Sequence, residues 1–348
     1  MATVQAVPFP RARAVVTGAG GFIGHHLVSF LKRQGYWVRG VDRKLPEYAP
    51  SEADEFLLLD LRRWESCLEA TRGVGEVYAL AADIGGMGYI SGHHADILHD
   101  NILISTHTLE AARKNGASRL FFASSACVYP EYRQKETELT PLREEEAYPA
   151  QPQDAYGWEK LTTERLCTHY REDFGLETRI ARFHNIYGPL GTWSGGREKA
   201  PAALCRKVAV AKLAGDSVIE IWGDGEQTRS FCYVDDCVTG IWKLMRSEYP
   251  HPLNIGQDRL VTVNELADLI AGVAGVRVAK RHVPGPQGVR GRNSDNSRVR
   301  EALGWAPEIP LEAGLARTYE WIEAQVRRAA SRSPREAREY AGPDRAAV

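Results

Sequence analysis

The feature that most constrains this chain lies near its start. Ala14-Val15-Val16-Thr17 is an apolar run of strand length, and Gly18-Ala19-Gly20-Gly21-Phe22-Ile23-Gly24 follows it directly. A helical pattern then continues through Phe30 and Leu31. A strand with no polar alternation is one buried on both faces, as in a parallel sheet. Glycines at 18, 21 and 24 suit a tight strand-to-helix turn whose backbone must approach a diphosphate, and the helix amino end favours the anion. A glycine fingerprint alone is weak, but in this strand–turn–helix setting it specifies a dinucleotide-binding α/β fold. The residues of the turn assigned to the cofactor are Gly18, Gly21, Phe22, Ile23 and Gly24.

The strands that follow extend the same pattern. Trp37-Val38-Arg39-Gly40-Val41 ends at Asp42, near the place where an acid would hold a ribose hydroxyl. An acid there repels a 2′-phosphate, so NAD is favoured over NADP, although Arg43 next to it could accommodate a phosphate. Phe56-Leu57-Leu58-Leu59 leads to Asp60, a candidate adenine contact. Glu76 to Ala82 forms the fourth strand and ends in small residues that would let a cofactor lie close. Gly85-Gly86-Met87-Gly88 then reads as a flexible loop at the carboxyl edge, where open α/β sheets bind ligands. Residues 98–114 read as an amphipathic helix with Ile102, Leu103, Leu109 and Ala112 towards the core.

The chemistry centres on Asp154-Ala155-Tyr156-Gly157-Trp158-Glu159-Lys160. On a helix, Tyr156 and Lys160 share one face one turn apart. A unit charge at ~4 Å and an effective dielectric of ~20 contributes about 4 kcal/mol. That is roughly three pKa units, enough to draw a tyrosine from ~10 towards ~7. A phenol so poised can take a proton from a hydroxyl and return it. Arg119 to Ala123 forms a strand that delivers Ser124-Ser125-Ala126-Cys127, so Ser125 can bond the same hydroxyl. Cys127 is a candidate base if nearby positive charge favours its thiolate; a cysteine beside a strand end is otherwise ordinary packing.

From about residue 190 the strand–helix alternation loosens. The expected organisation is a Rossmann-like, doubly wound parallel sheet over 12–190 and parts of 228–256. A smaller carboxyl-terminal substrate-binding lobe occupies 191–227 and 257–326, followed by a flexible tail over 327–348. In Gly195-Gly196-Arg197-Glu198-Lys199-Ala200-Pro201, Lys199 is open to three readings: general acid, phosphate contact or solvated charge. Gly288-Val289-Arg290-Gly291-Arg292-Asn293 offers a forked cation in a glycine setting that suits a diphosphate. With a formal net charge of −1, the chain has no strongly basic surface for nucleic acid. Its six cysteines show neither paired nor zinc-ligand spacing, so free thiols and no metal are expected. No apolar run is long enough for a membrane span or a signal peptide, which makes a cytoplasmic location the expectation.

Together, the glycine turn, Asp42, the strand end at Ser125 and the Tyr156/Lys160 pair resemble the extended short-chain dehydrogenase/reductase family of NAD-dependent epimerases and dehydratases, over about residues 12–326. Longer stretches resemble the branch that epimerises GDP-mannose at carbons 3 and 5: Ala81 to Gly88, Ser124 to Pro130, Pro152 to Gly157, Arg182 to Pro189, Gly195 to Ala202 and Pro284 to Asp295. The resemblance implies NAD as cofactor, Tyr156, Lys160 and Ser125 in oxidation at carbon 4, and Cys127 as base with Lys199 as acid. It also implies sugar or diphosphate contacts from Gly88, Ser125, Ala126, Cys127, Asn185, Glu198, Lys199, Ala200, Lys207, Gln227 and Arg292. A homodimer built on the helices near 98–114 and 156–174 is implied in the same way. Two other readings stay open. One is a 4-epimerase or 4,6-dehydratase on the same fold, against which Cys127 stands. The other is a non-catalytic NAD sensor, which would have no need of the Ser125, Tyr156 and Lys160 relay.

Overall fold

The glycine turn does set the sheet. In the computed structural model, which describes residues 12–332 apart from Gln287, β1 (Arg13–Thr17) enters the turn and α1 (Phe22–Arg33) leaves it. The chain then returns as β2 (Trp37–Asp42), parallel to β1. Next come β3 (Glu55–Leu58), α2 (Trp64–Thr71), β4 (Glu76–Ala79), the one-turn α3 (Met87–Ile90), α4 (His94–Lys114) and β5 (Arg119–Ser125). A long loop leads to α5 (Ala155–Phe174) and β6 (Glu177–Phe183). Beyond it lie β7 (Ile186–Tyr187), α6 (Ala200–Ala214), β8 (Val218–Trp222), β9 (Thr228–Arg229), β10 (Cys232–Tyr233), α7 (Val234–Arg246) and β11 (Leu253–Ile255). The remaining elements are β12 (Val261–Thr262), α8 (Val263–Ala274), β13 (Ala279–Val283), β14 (Gly291–Arg292), α9 (Ser297–Leu303) and α10 (Leu311–Arg332).

Seven parallel strands form the main sheet in the order β3-β2-β1-β4-β5-β6-β11. The order reverses between β1 and β4, so the crevice beyond their carboxyl ends is the place for a ligand. This is the expected doubly wound α/β fold, and the reason is visible strand by strand. Ala14 and Val16 of β1 and Phe121 of β5 face one apolar core, whereas Val15, Leu120 and Phe122 face another. Both faces are covered, which explains the unbroken apolar runs. The core on the α1 and α7 side continues into α6, α8 and α10 without a break. Three small sheets complete the carboxyl-terminal half: β12-β9-β14, β13-β8 and β10-β7.

Local chemistry fixes the ends of the helices that matter most. Asp154 caps α5 by accepting from the Gly157 amide at 2.8 Å, and Gly175, at φ 70°, ends the helix in a left-handed turn. Thr262 and Glu265 close α8 with a reciprocal capping box.

Several expectations need correction. The fourth strand stops at Ala79 rather than Ala82, and part of the Gly85–Gly88 loop winds into α3. Helix α4 begins at His94 and buries Asn101, Ser105 and Thr108, while Ile102 and Leu103 are only half-buried. Polar residues are tolerated on that face because they bond across it: Ser105 donates to Glu159 at 3.1 Å, and Asn101 accepts the Asp83 amide at 2.6 Å. The last helix runs through Val326 to Arg332, so the first residues of the expected flexible tail are helical. The rest of that tail, and residues 1–11, lie outside the described residues. Among the described residues, no helix is long and apolar enough to cross a membrane.

Candidate functional site

Strand β5 and helix α5 converge on the carboxyl edge of the sheet. Ser125 ends β5, and its hydroxyl accepts the Cys127 amide at 3.1 Å, opening a short 3-10 turn. Across from it, Tyr156 occupies the first turn of α5, where the Ser125 hydroxyl acts on its phenol. Two close contacts hold this junction. A Cβ on Gly157 would lie 2.2 Å from the Cys127 carbonyl oxygen and 2.8 Å from Pro152. Gly157→Ala is therefore expected to push the Cys127 turn away from Tyr156. Displacements of this kind far from strict complementarity cost about 10² in turnover, so kcat should fall far more than the thermal midpoint.

The expected effect of Lys160 on Tyr156 is not realised in this structure. Burial pushes the phenol well above its ordinary value, and the neighbouring Cys127, Glu159 and Asp154 add to the rise; the Ser125 hydrogen bond opposes it. The Lys160 ammonium lies 3.4 Å from the fully buried Glu159 carboxylate and 5.4 Å from the centre of the Tyr156 ring. Its charge is thus matched by Glu159 before it reaches the phenol. Glu159 in turn accepts from Ser105 and Thr163, at 3.1 and 3.0 Å.

One cavity of about 250 Å³ opens at this edge. Ser125, Cys127 and Tyr156 line it, and so do Gly88, Ala126, Asn185, Glu198, Lys199, Ala200, Lys207, Gln227 and Arg292. Every residue that the sequence assigned to the substrate is therefore brought together. Cys127 is half-buried there, whereas Cys67, Cys167, Cys205, Cys232 and Cys237 are buried. The Arg292 guanidinium donates to the Cys127 sulfur at 3.4 Å. Lys199, the residue before α6, is open to the cavity yet enclosed by protein around it. That desolvation lowers its pKa, and the nearby Cys127 and Cys237 sulfurs oppose the fall. Arg229 is a third cation on the same wall, drawn down to about 9 by burial and by Arg292.

Other candidates hold partners of their own. Glu198 accepts from Arg206 at 2.9 Å and from the Gly196 amide at 2.7 Å. Lys207 donates to the Glu220 carbonyl at 3.1 Å beside the Trp222 ring. Asn185 adopts a left-handed φ of 45° and donates to the Ser230 carbonyl at 2.8 Å. Gln227 is buried with its side-chain oxygen unsatisfied, so a donor from a ligand would complete it. Of the two arginines in the Gly288–Asn293 segment, Arg290 pairs with Asp224 in a two-pronged contact at 2.8 Å, and Arg292 lines the cavity.

Two loops clasp each other at the cavity mouth. The Gly86 amide donates to the Arg197 carbonyl at 3.0 Å. The Arg197 guanidinium stacks 3.7 Å over the Tyr89 ring and donates to Asp83 at 3.3 Å, and Tyr89 donates to the same carboxylate at 2.8 Å.

The glycine turn fits a dinucleotide. Gly18 has φ 73°, and a Cβ there would press on the Leu80–Ala81 backbone at 3.0 Å. A Cβ on Gly24 would lie 2.1 Å from the Gly18 oxygen. The amino end of α1 has no side-chain cap, which leaves its amides for a diphosphate. Phe22 and Ile23 form that first turn. Asp42 accepts the Gly20 amide at 3.0 Å, placing its carboxylate against the turn. Asp60 is committed to Arg62, whose guanidinium donates to it at 2.5 Å.

Residues 14–256 match the model of the NAD dependent epimerase/dehydratase family. The chain belongs to that family. Two relatives are similar over most of the chain. A GDP-mannose 3,5-epimerase of Arabidopsis thaliana is 52% identical over 321 residues, covering 92% of this chain and 84% of the relative. GDP-mannose 3,5-epimerase 1 of Oryza sativa subsp. japonica shows the same identity and coverage. Among solved structures, a UDP-glucose 4-epimerase with UDP-glucose from Thermotoga maritima superposes with a TM-score of 0.79. It is 27% identical and covers 90% of this chain and 99% of its own. This NAD-dependent epimerase/dehydratase thus has the family fold, with Cys127 and Lys199 lining its cavity.

Some residues of the site were not singled out from the sequence. Asp154 was legible as a helix cap, and Gly157 as a glycine inside a helix that needs a packing reason. Arg229, Trp222 and the Arg197 clasp carry no such local signal, because only the fold brings them to the cavity.

Proposed function

We propose that this chain epimerises GDP-D-mannose at carbons 5 and 3, giving GDP-L-gulose and GDP-L-galactose. The observation that carries this reading is Cys127, ringed by cations, lining one cavity with Lys199 and the Ser125/Tyr156 pair. The identity to plant enzymes of that name supports the choice of substrate.

NAD, held by Gly18, Gly21, Phe22, Ile23 and Gly24 with Asp42, Asp60, Tyr156 and Lys160, supplies reversible oxidation at carbon 4 when bound. Tyr156 takes the proton of the carbon-4 hydroxyl, a transfer that requires the Lys160 ammonium to turn from Glu159 towards the phenol, and Ser125 orients that hydroxyl. A ketone at carbon 4 acidifies the hydrogens on both neighbours, since either carbanion becomes an enolate. Cys127 removes the proton at carbon 5 or 3, and Lys199 delivers one from the opposite face. Gly88, Ala126, Asn185, Glu198, Ala200, Lys207, Gln227 and Arg292 hold the sugar and its diphosphate. A homodimer in the cytoplasm completes this reading. The half-buried Ile102 and Leu103 and the exposed Trp158 support a partner against α4 and α5.

The test is incubation of the purified protein with GDP-mannose in deuterated water, read by NMR and mass spectrometry. Deuterium at carbons 3 and 5 with new L-sugar signals is the expected result. Inversion at carbon 4 without exchange would replace this reading with a 4-epimerase, and no change in any nucleotide sugar would favour a sensor. Tyr156→Phe should abolish exchange; retained exchange would remove the 4-keto route.

A further inference from the structure

Arg292 reaches Cys127 only because something else holds it. Its Nε donates to the side-chain oxygen of Gln134 at 2.6 Å, which leaves Nη1 for the sulfur at 3.4 Å. Gln134 is buried, and its amide nitrogen donates to the carbonyls of Tyr129 and Pro130 at 3.0 and 3.2 Å. Two carbonyl acceptors fix which end of the amide is which, so the oxygen must face the guanidinium. The backbone repeats the grip: the Gln134 carbonyl accepts the amides of Arg290 and Gly291 at 2.9 and 3.2 Å. Gly291 makes this approach possible, since a Cβ there would lie 2.2 Å from the Glu136 oxygen. One residue therefore ties β14 to the loop that follows Cys127.

We propose that Gln134 is a positioning residue that aims Arg292 at Cys127 and thereby keeps the sulfur ready to react. It touches neither substrate nor sulfur; it acts through the guanidinium. A flexible arginine without this anchor would spread over several rotamers, and its charge would leave the sulfur for much of the time. Lys199, Arg229 and Tyr156 also face Cys127, and none of them contacts Gln134 among the interactions described. The proposal rests on Cys127 acting as the base, but its test need not involve the sugar.

The experiment is alkylation of the full-length protein by iodoacetamide at neutral pH, with the modified peptide identified by mass. Cys127 is the cysteine open to reagent, because the other five are buried. Without the held guanidinium the attacking sulfur loses a charge-assisted hydrogen bond, so Gln134→Met should slow alkylation about tenfold. Gln134→Asn, which keeps the amide but shortens it, should slow it less, and it carries the test if the methionine variant does not fold. In an Arg292→Lys background, which keeps the charge but lacks the gripped Nε, Gln134→Met should add nothing further. Unchanged alkylation in folded Gln134 variants would overturn the proposal, as would full additivity with Arg292→Lys. Slower alkylation alongside undiminished sugar exchange would leave the positioning intact and sink Cys127 as the base instead.

Discussion

Cys127→Ser is expected to lower hydrogen exchange at sugar carbons 3 and 5 by about 10²–10⁴, while oxidation at carbon 4 persists. The split follows from geometry. In the proposed mechanism Ser125 and Tyr156 serve the carbon-4 hydroxyl without the sulfur, whereas the abstraction of a carbon-bound proton needs a base. A serine hydroxyl, even beside Arg292, holds its proton too tightly to replace a thiolate at neutral pH. Lys199→Met should show the complementary defect. Proton removal would still be detectable as exchange with retention, but inversion would fail for lack of a donor on the other face. The pH dependence has a definite sign. Desolvation lowers the pKa of Lys199, so the ammonium that donates is lost as pH rises through a value below that of a free lysine. The alkaline limb of turnover should therefore fall earlier than an ordinary lysine would dictate. Deuterium incorporation followed across pH, with transient cofactor absorbance as control, checks each part. Full exchange activity in Cys127→Ser would reassign the base.

Glu164→Ala is expected to be the most destabilising single change near the site. Glu164 lies under β5 and β6, buried, accepting Arg182 Nε and Nη2 at 2.9 and 2.7 Å and the Ser124 hydroxyl at 2.5 Å. Removing it leaves the buried Arg182 charge uncompensated, a loss of about 3–5 kcal/mol. The paired change Glu164→Leu with Arg182→Met removes both charges and should recover much of that loss. Urea unfolding of the three proteins decides it: similar midpoints for Glu164→Ala and the parent would show that the pair contributes little.

How far the sequence revealed this molecule depends on the range of each interaction. The turn at Gly18, the strand end at Ser125 and the helix of Tyr156 are local, and each is written in consecutive residues. Cys127 and Lys199 were candidates from their positions, and the resemblance named them as base and acid; the fold puts them on one cavity. The pairing of Lys160 with Glu159 runs against a reading of spacing alone. Both residues occur in the motif, but burial decides that the carboxylate takes the ammonium's charge first. Arg182 and Glu144 read as ordinary charges of a strand and an acidic run, yet both are buried. Gln134 had no signal at all, because the partners that would give it a role at the site, Arg290 to Arg292, stand more than a hundred residues away.

The clasp of Gly86 and Arg197 bears on which product leaves. A sugar inverted at one centre and a sugar inverted at both are separated only by time spent inside. Each opening of the mouth is a race between escape and the second inversion. On the proposed function, the ratio of the two products would work as a clock whose rate depends on Asp83, Tyr89 and Arg197. Loosening them would favour the early leaver without touching a single reacting atom.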